Sequence, residues 1–258
     1  PFDLVLNCRK GPIHQFGLGV RADTEEIVSV LLNVGLNAHK LHGHMFDLTA
    51  KISANPYASF HWSYDIPKFP TFNGTASIRW TDLNMLNLGN NRLSFNYLSA
   101  KQELYLSNIK WKQLDIRGGI RNEILRMGNV QCQMQDCYDL NILSDDFVSA
   151  FLDAGTYTFD DGYFPTRGVS AGLSYSWTFA GFPHRFSNFH TLAADAKVVV
   201  PIGDIFAFIP SFDCRFLLGD DVPVPFFNAV GGSLPARYLD RQMPFVGVTH
   251  LSAMKNIL

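Results

Sequence analysis

A chain of 258 residues that is 47% hydrophobic can bury a large core and is not a disordered polymer. Only 17% of it is charged, below the usual ~25%, and a formal net charge of −2 without any run of Lys or Arg offers no basic field to nucleic acid. No stretch approaches ~18 consecutive apolar residues, which excludes a transmembrane helix and leaves a membrane β-barrel open.

The chain begins Pro1-Phe2-Asp3, with no initiator Met, basic n-region or apolar h-region, as expected of a mature product or a piece of a longer protein. In residues 1–12, "PFDLVLNCRKGP", Phe2, Leu4 and Leu6 alternate with Asp3, Val5 and Asn7 like the last strand of a small soluble domain. From there on the dominant signal is period two. Strands are predicted over 15–23, 26–37, 45–55, 57–66, 71–81, 92–108, 113–126, 147–160, 168–180, 191–202 and 205–218, about eleven in all, with a twelfth starting near Thr249. In "FDLTAKISAN" Phe46, Leu48, Ala50, Ile52 and Ala54 share one face, and Asp47, Thr49, Lys51, Ser53 and Asn55 the other. "VSAGLSYSWTF" sets Val169, Leu173, Tyr175 and Trp177 against Ser170, Gly172, Ser174 and Ser176. The strand over 92–108 changes register near Ser99, where a bulge is expected. Helical periodicity is confined to a weak patch in "DDFVSAFLDA".

Length and the character of the faces choose between a soluble sandwich and a membrane barrel, which share the same period. Soluble strands run ~5–6 residues, whereas a tilted strand crossing a bilayer needs ~9–11, the length most of these reach. An apolar face with Trp and Tyr toward its ends, opposite a Ser, Thr, Gly and Asn face, matches a barrel with lipid outside and a polar lumen within. On that reading Phe46 and its partners face lipid. Connections around 82–91, 127–146, 181–190 and 219–248 are long and those near 67–70, 161–167 and 203–204 short, which places the long ones outside and the short ones in the periplasm.

Several groups of residues could carry chemistry. His39, His42 and His44 in "AHKLHGH" suit a metal by residue type, but lack a ligand spacing and fall at a predicted solvated turn. Asp115, Arg117, Arg121 and Glu123 project to one side of a single strand, and a charge on a lipid face costs ~2–4 kcal/mol per Arg at the midplane, so they belong to the lumen. They pair among themselves or meet an inserted loop or a passing substrate. Cys132 and Cys137 in "CQMQDC" form a candidate disulfide in an outer loop, while Cys8 and Cys214, on different segments, read as unpaired or structural; no zinc or other metal site and no cofactor is indicated. "GVSAG" at 168–172 has the letters of a G-x-S-x-G nucleophile elbow, yet a turn precedes it and a strand follows, so Ser170 is read as a lumen serine.

"YFPTRG", with Phe164, Pro165, Thr166, Arg167 and Gly168 ahead of a long alternating strand, resembles the periplasmic hairpin of the BamA/TamA surface-antigen superfamily. "FFNAVGGSLPARYLDRQMPFVG" resembles that superfamily's sixth extracellular loop: Gly231, Gly232, Ser233 and Arg237 match its pattern, and Tyr238 stands where the family has Gly. More narrowly, "ADTEEIVSVLLNVGLN", "ANPYASFHWSYDI" and "GGSLPARYLDRQMPFVG" look like the barrel fused to patatin-like phospholipases of Bacteroidetes-type bacteria. The resemblance implies an all-β, transmembrane antiparallel barrel in the outer membrane of a Gram-negative bacterium, with about eleven or twelve of sixteen strands present. Residues 1–12 would be the end of a POTRA-like periplasmic domain, and 13–258 a barrel incomplete at its C-terminus, which stops at "AMKNIL" without a terminal aromatic residue. It implies that the barrel performs no chemistry itself: it anchors, and serves in the export or display of, an attached patatin-like hydrolase, with outer-membrane lipid and a fused domain or translocated polypeptide as partners. The alternative is an assembly or translocation factor without an enzyme domain. Arg237 would reach into the lumen toward acidic residues of a later strand, or remain a solvated loop residue.

Overall fold

A computed structural model describes residues 14–23, 27–38, 43–87, 91–132, 145–162, 164–182, 188–203, 206–219, 222–223, 226–231, 242–243, 245 and 251–254. Residues 1–12 lie outside them. The first ten strands form an antiparallel meander in which each pairs with the next: β1 (His14–Asp23), β2 (Ile27–Asn37), β3 (His44–Ile52), β4 (Tyr57–Tyr64), β5 (Thr71–Asn87), β6 (Asn91–Trp111), β7 (Leu114–Cys132), β8 (Asp146–Tyr157), β9 (Gly168–Phe182) and β10 (Phe189–Ile202). β11 (Phe206–Phe208) and β12 (Ser211–Leu218) both pair with β10 in one continuous register. They are a single eleventh strand, interrupted where Pro210 has no N–H to give; the Pro210 carbonyl still accepts from the Val198 N–H at 3.1 Å. The patch "DDFVSAFLDA", where helical periodicity is also visible, is strand β8.

The two faces differ as the alternation predicts. One bears Phe16, Leu18, Val20, Leu48, Ile52, Leu104, Ile120, Leu152, Leu173 and Trp177 in exposed positions. Such a continuous apolar exterior is tenable only against hydrocarbon. The opposite, inner face carries hydrogen-bonded polar groups: Asn33 Nδ2 donates to Asp47 at 3.1 Å and to the Thr49 hydroxyl at 2.9 Å, and Asn73 Nδ2 donates to Ser107 at 2.8 Å. Phe46 and its partners therefore lie on the outer face.

Ser99 does not bulge. It pairs regularly with Leu125, and the register shifts fall on either side of it, between Ser94 and Asn96 and between Leu106 and Ile109. The apolar residues change face along β6 because Phe95 and Tyr97 point inward into a buried core, whereas Leu98, Leu104 and Leu106 point outward. The second shift presses β6 against β7: a Cβ at Gly119 would lie 2.2 Å from the Leu104 carbonyl oxygen and 2.6 Å from the Tyr105 Cα. Backbone cannot yield as a side chain can, so Gly119→Ala is expected to destabilise the sheet by at least ~1–3 kcal/mol, read from urea unfolding of protein folded into lipid vesicles.

Two long connections are shorter than the sequence suggests. β5 and β6 reach Asn87 and Asn91, so most of 82–91 is ladder, and β7 continues to Cys132. The expected twelfth strand is present as β15 (Leu251–Met254), but it does not follow β12 in the meander. It pairs antiparallel with β13 (Asn228–Val230) and parallel with Met85–Asn87 of β5, and β13 pairs parallel with β14 (Gln242–Met243). The β4 ladder ends at Arg79, and the residues before β4 still hold the Trp80 and Asp82 N–H groups through the Pro56 carbonyl and Asn55 Oδ1, so the edge of β5 beyond Asp82 is left for β15 to take.

Candidate functional site

The buried core lies at the end of the sheet that carries the long connections, on the inner face. Phe95 and Tyr97 of β6, Leu125 of β7, Phe147 of β8, Phe189 of β10 and Leu217 of β12 enclose Val222, Phe226 and Ala229 from the segment after β12. Phe226 is the wedge, meeting Phe147 and Phe189 edge-on at 4.8 Å each. The segment is held beyond the wedge as well, since the Gly231 N–H donates to the Met243 carbonyl at 3.0 Å and Gln242 Nε2 to the Gly231 carbonyl at 2.9 Å. Gly231, at φ 134°, adopts a conformation open to glycine. Of the expected sixth-loop motif only Gly231 is described; Gly232, Ser233 and Arg237 lie outside the described residues.

Below this plug the inner wall is charged. All four residues singled out on β7 belong to it, and the ion pairs of Arg117 and Arg121 are made across strands. Arg117 Nε meets Asp153 of β8 at 2.8 Å, and Arg121 Nε meets Glu103 of β6 at 2.5 Å. Residues two apart on one strand stand ~7 Å apart on their common face, whereas directly opposed residues on neighbouring strands come to ~5 Å. Arg121 pairs opposite Glu103 in the ladder and Arg117 opposite Asp153. The guanidinium of Arg121 also lies over the Phe151 ring at 4.7 Å, which fixes its plane while the carboxylate holds its edge. Glu123 is buried and engaged with a partner. Asp115 lines an open hollow of about 540 Å³ at the opposite end, together with Ser170, Gly172 and Asp195. Ser170 opens a strand with no helix behind it, so the nucleophile-elbow geometry is not formed.

The short turn before β9 is built around one carboxylate. Asp160 accepts from the Thr166 hydroxyl at 2.5 Å and from the N–H groups of Thr166 at 2.9 Å and Arg167 at 3.2 Å. Asp161 accepts from the Phe164 N–H at 2.9 Å. Gly168 closes the turn at φ 123°, where a Cβ would lie 2.5 Å from the Thr158 carbonyl oxygen. Phe164 and Arg167 project outward, and Pro165 is half-buried. The Thr166 hydroxyl, then the Arg167 and Thr166 amides, hold the Asp160 carboxyl at about 2. A carboxyl depressed on folding stabilises the turn above its unfolded value of ~3.9 and loses that contribution as pH falls through the folded value. Exchange protection of the Thr166 and Arg167 amides is therefore expected to persist to pH 3 and vanish below about 2, and Asp160→Ala to abolish it at neutral pH.

His44 is not a turn residue. It opens β3 on the outer face, stacks on Tyr64 at 4.2 Å, and accepts the Trp62 indole N–H at 3.0 Å, joining an aromatic belt. His39 and His42 lie outside the described residues, as does Cys137, the second half of the candidate disulfide with Cys132. Cys214 is free and buried. The resemblance carries Arg237 of the sixth loop toward the lumen, but the reading of the residues missed the apolar wedge ahead of it. Its signal was "VPVPFF" at 222–227, an apolar run inside a long connection that has no reason to be apolar unless something covers it.

Among solved structures, the chain is similar to the crystal structure of BamA from Haemophilus ducreyi lacking POTRA domains 1-3, with a TM-score of 0.68 at 13% identity, covering 88% of this chain and 46% of that one. The chain thus spans about half the length of that relative, and the likeness is one of fold. No curated protein matches it. A family model, that of the OMP85 superfamily, matches residues 57–257, so this chain belongs to the OMP85 superfamily as an outer-membrane β-barrel of BamA-like fold.

Proposed function

We propose that this barrel anchors an attached patatin-like hydrolase in the outer membrane of a Gram-negative bacterium and serves in its export or display. The specific support is the likeness of "ADTEEIVSVLLNVGLN", "ANPYASFHWSYDI" and "GGSLPARYLDRQMPFVG" to barrels fused to such enzymes. The observation that carries the anchoring role is the plug: with Phe226 wedged between Phe147 and Phe189, the loop end of the inner face is filled by the chain's own residues, which suits an anchor or a gated conduit and not an open diffusion pore. In this reading the end of the sheet that carries the long connections faces outward and the Asp160 turn faces the periplasm. Acidic and basic residues on the inner wall supply a hydrated lining for a polypeptide once the plug moves. The second reading, an assembly or translocation factor without an enzyme, draws on the BamA-like fold.

Intact mass and terminal peptide sequencing of the protein from its native membrane distinguish the two. An N-terminal extension holding a true strand-elbow-helix G-x-S-x-G, with esterase activity lost on replacing that serine, is the expected result. An extension of POTRA-like domains alone overturns it in favour of the assembly factor.

A further inference from the structure

The outer face carries one feature that anchoring leaves without purpose. Gln102 of β6 and Asn122 of β7 are direct cross-strand partners, and both lie on the lipid-facing side. On its own strand Gln102 has Leu98 and Ala100 toward the loops and Leu104 and Leu106 toward the turns, so its carboxamide sits well inside the apolar band. Among the described residues neither side chain makes a hydrogen bond. An amide is both donor and acceptor, and hydrocarbon satisfies neither role.

Beside the pair runs a groove of about 520 Å³ over Gly74 and Ala76, walled by Phe60, Trp62, Leu104 and Ile120. Small residues in its floor allow a facing backbone to approach closely. An acyl chain would fill the groove but offers nothing to the amides, because its polar linkages sit at the membrane interface. The amides call for a surface that presents hydrogen-bonding groups at their own depth.

Two copies of one protein inserted in the same sense are related by a two-fold axis along the membrane normal, and that operation preserves depth. It brings Gln102 and Asn122 of one copy to the level of Gln102 and Asn122 of the other, donor to acceptor, across a seam of small and apolar residues. We propose that this face, spanning β4 to β7, is a two-fold contact between copies of the chain within the membrane, sealed by these four amides. The proposal rests on the membrane reading of the outer face.

The test uses the full-length protein in its own outer membrane. Gln102→Cys, oxidised in the membrane, is expected to give a disulfide-linked species of twice the mass, while wild type, with its native cysteines, and Val20→Cys on the outer face of β1 give none. Gln102→Leu combined with Asn122→Leu is expected to keep heat-modifiable gel mobility and weaken self-association in detergent about tenfold, the scale of one or two side-chain hydrogen bonds in a membrane. A membrane-inserted, heat-modifiable Gln102→Cys protein that stays monomeric, that links to a protein of another mass, or that links no more than Val20→Cys, overturns the contact alone. Wild-type protein that washes off the membrane in carbonate overturns the membrane reading, and the contact with it.

Discussion

Phe226→Ala is expected to unseat the plug and open the loop end of the lumen. Phe226 is 2% exposed, and its ring meets two others at 4.8 Å, so truncation forfeits both the buried area and the edge-to-face contacts. Replacing a buried Phe by Ala costs ~3–5 kcal/mol where the site cannot collapse, and Phe147 and Phe189 stand on rigid strands that cannot follow a retreating side chain. The cost falls on the segment, because the ladders of β6 to β10 do not depend on it. In planar bilayers the variant should pass ions in long openings that wild type lacks, and protease added to intact cells should cut within 219–231. Phe226→Leu, which refills most of the volume, should behave nearly as wild type. Equal conductance of Phe226→Ala and wild type would mean that closure lies elsewhere.

That plug marks the boundary of what the sequence discloses. The strands were legible because each spans enough residues for alternation to rise above chance, and because a barrel wall in lipid demands an unbroken apolar face. The eleventh strand is readable across Pro210 for the same reason. Where alternation misled, at Ser99, the assumption of one apolar face and one polar face failed locally: the inner face of β6 turns apolar where the plug covers Phe95 and Tyr97. A single strand cannot announce that, since the covering segment lies more than a hundred residues further on. Ion partners were hidden for a related reason. The shared face of Arg117 and Arg121 follows from period two, but whether Asp153 or Asp115 answers Arg117 depends on the register between β7 and β8, which alternation within one strand does not give. The carboxylate of Asp160 lay outside the turn motif as read, seven residues before Arg167, and only the folded turn brings the two together.

The assignment of faces can be tested on two adjacent residues. Leu173 and Ser174 are neighbours in the middle of β9, and their side chains leave opposite sides of the sheet: Leu173 lies between Ala154 and Ala194 on the outer face, Ser174 between Asp153 and Ala193 on the inner. Arginine at Leu173 would carry its charge into hydrocarbon, at a cost of ~2–4 kcal/mol near the midplane. Arginine at Ser174 enters a hydrated wall beside the Asp153 carboxylate and should change stability by no more than ~0.5 kcal/mol, as surface substitutions do. Leu173→Arg is therefore expected to lower the urea midpoint of protein folded into vesicles, and Ser174→Arg to leave it in place. The asymmetry should disappear in short-chain lipids, whose thin bilayers let a long arginine side chain reach water from mid-strand. Equal losses from both substitutions would indicate that neither face meets lipid, and the reversed order would turn the sheet inside out.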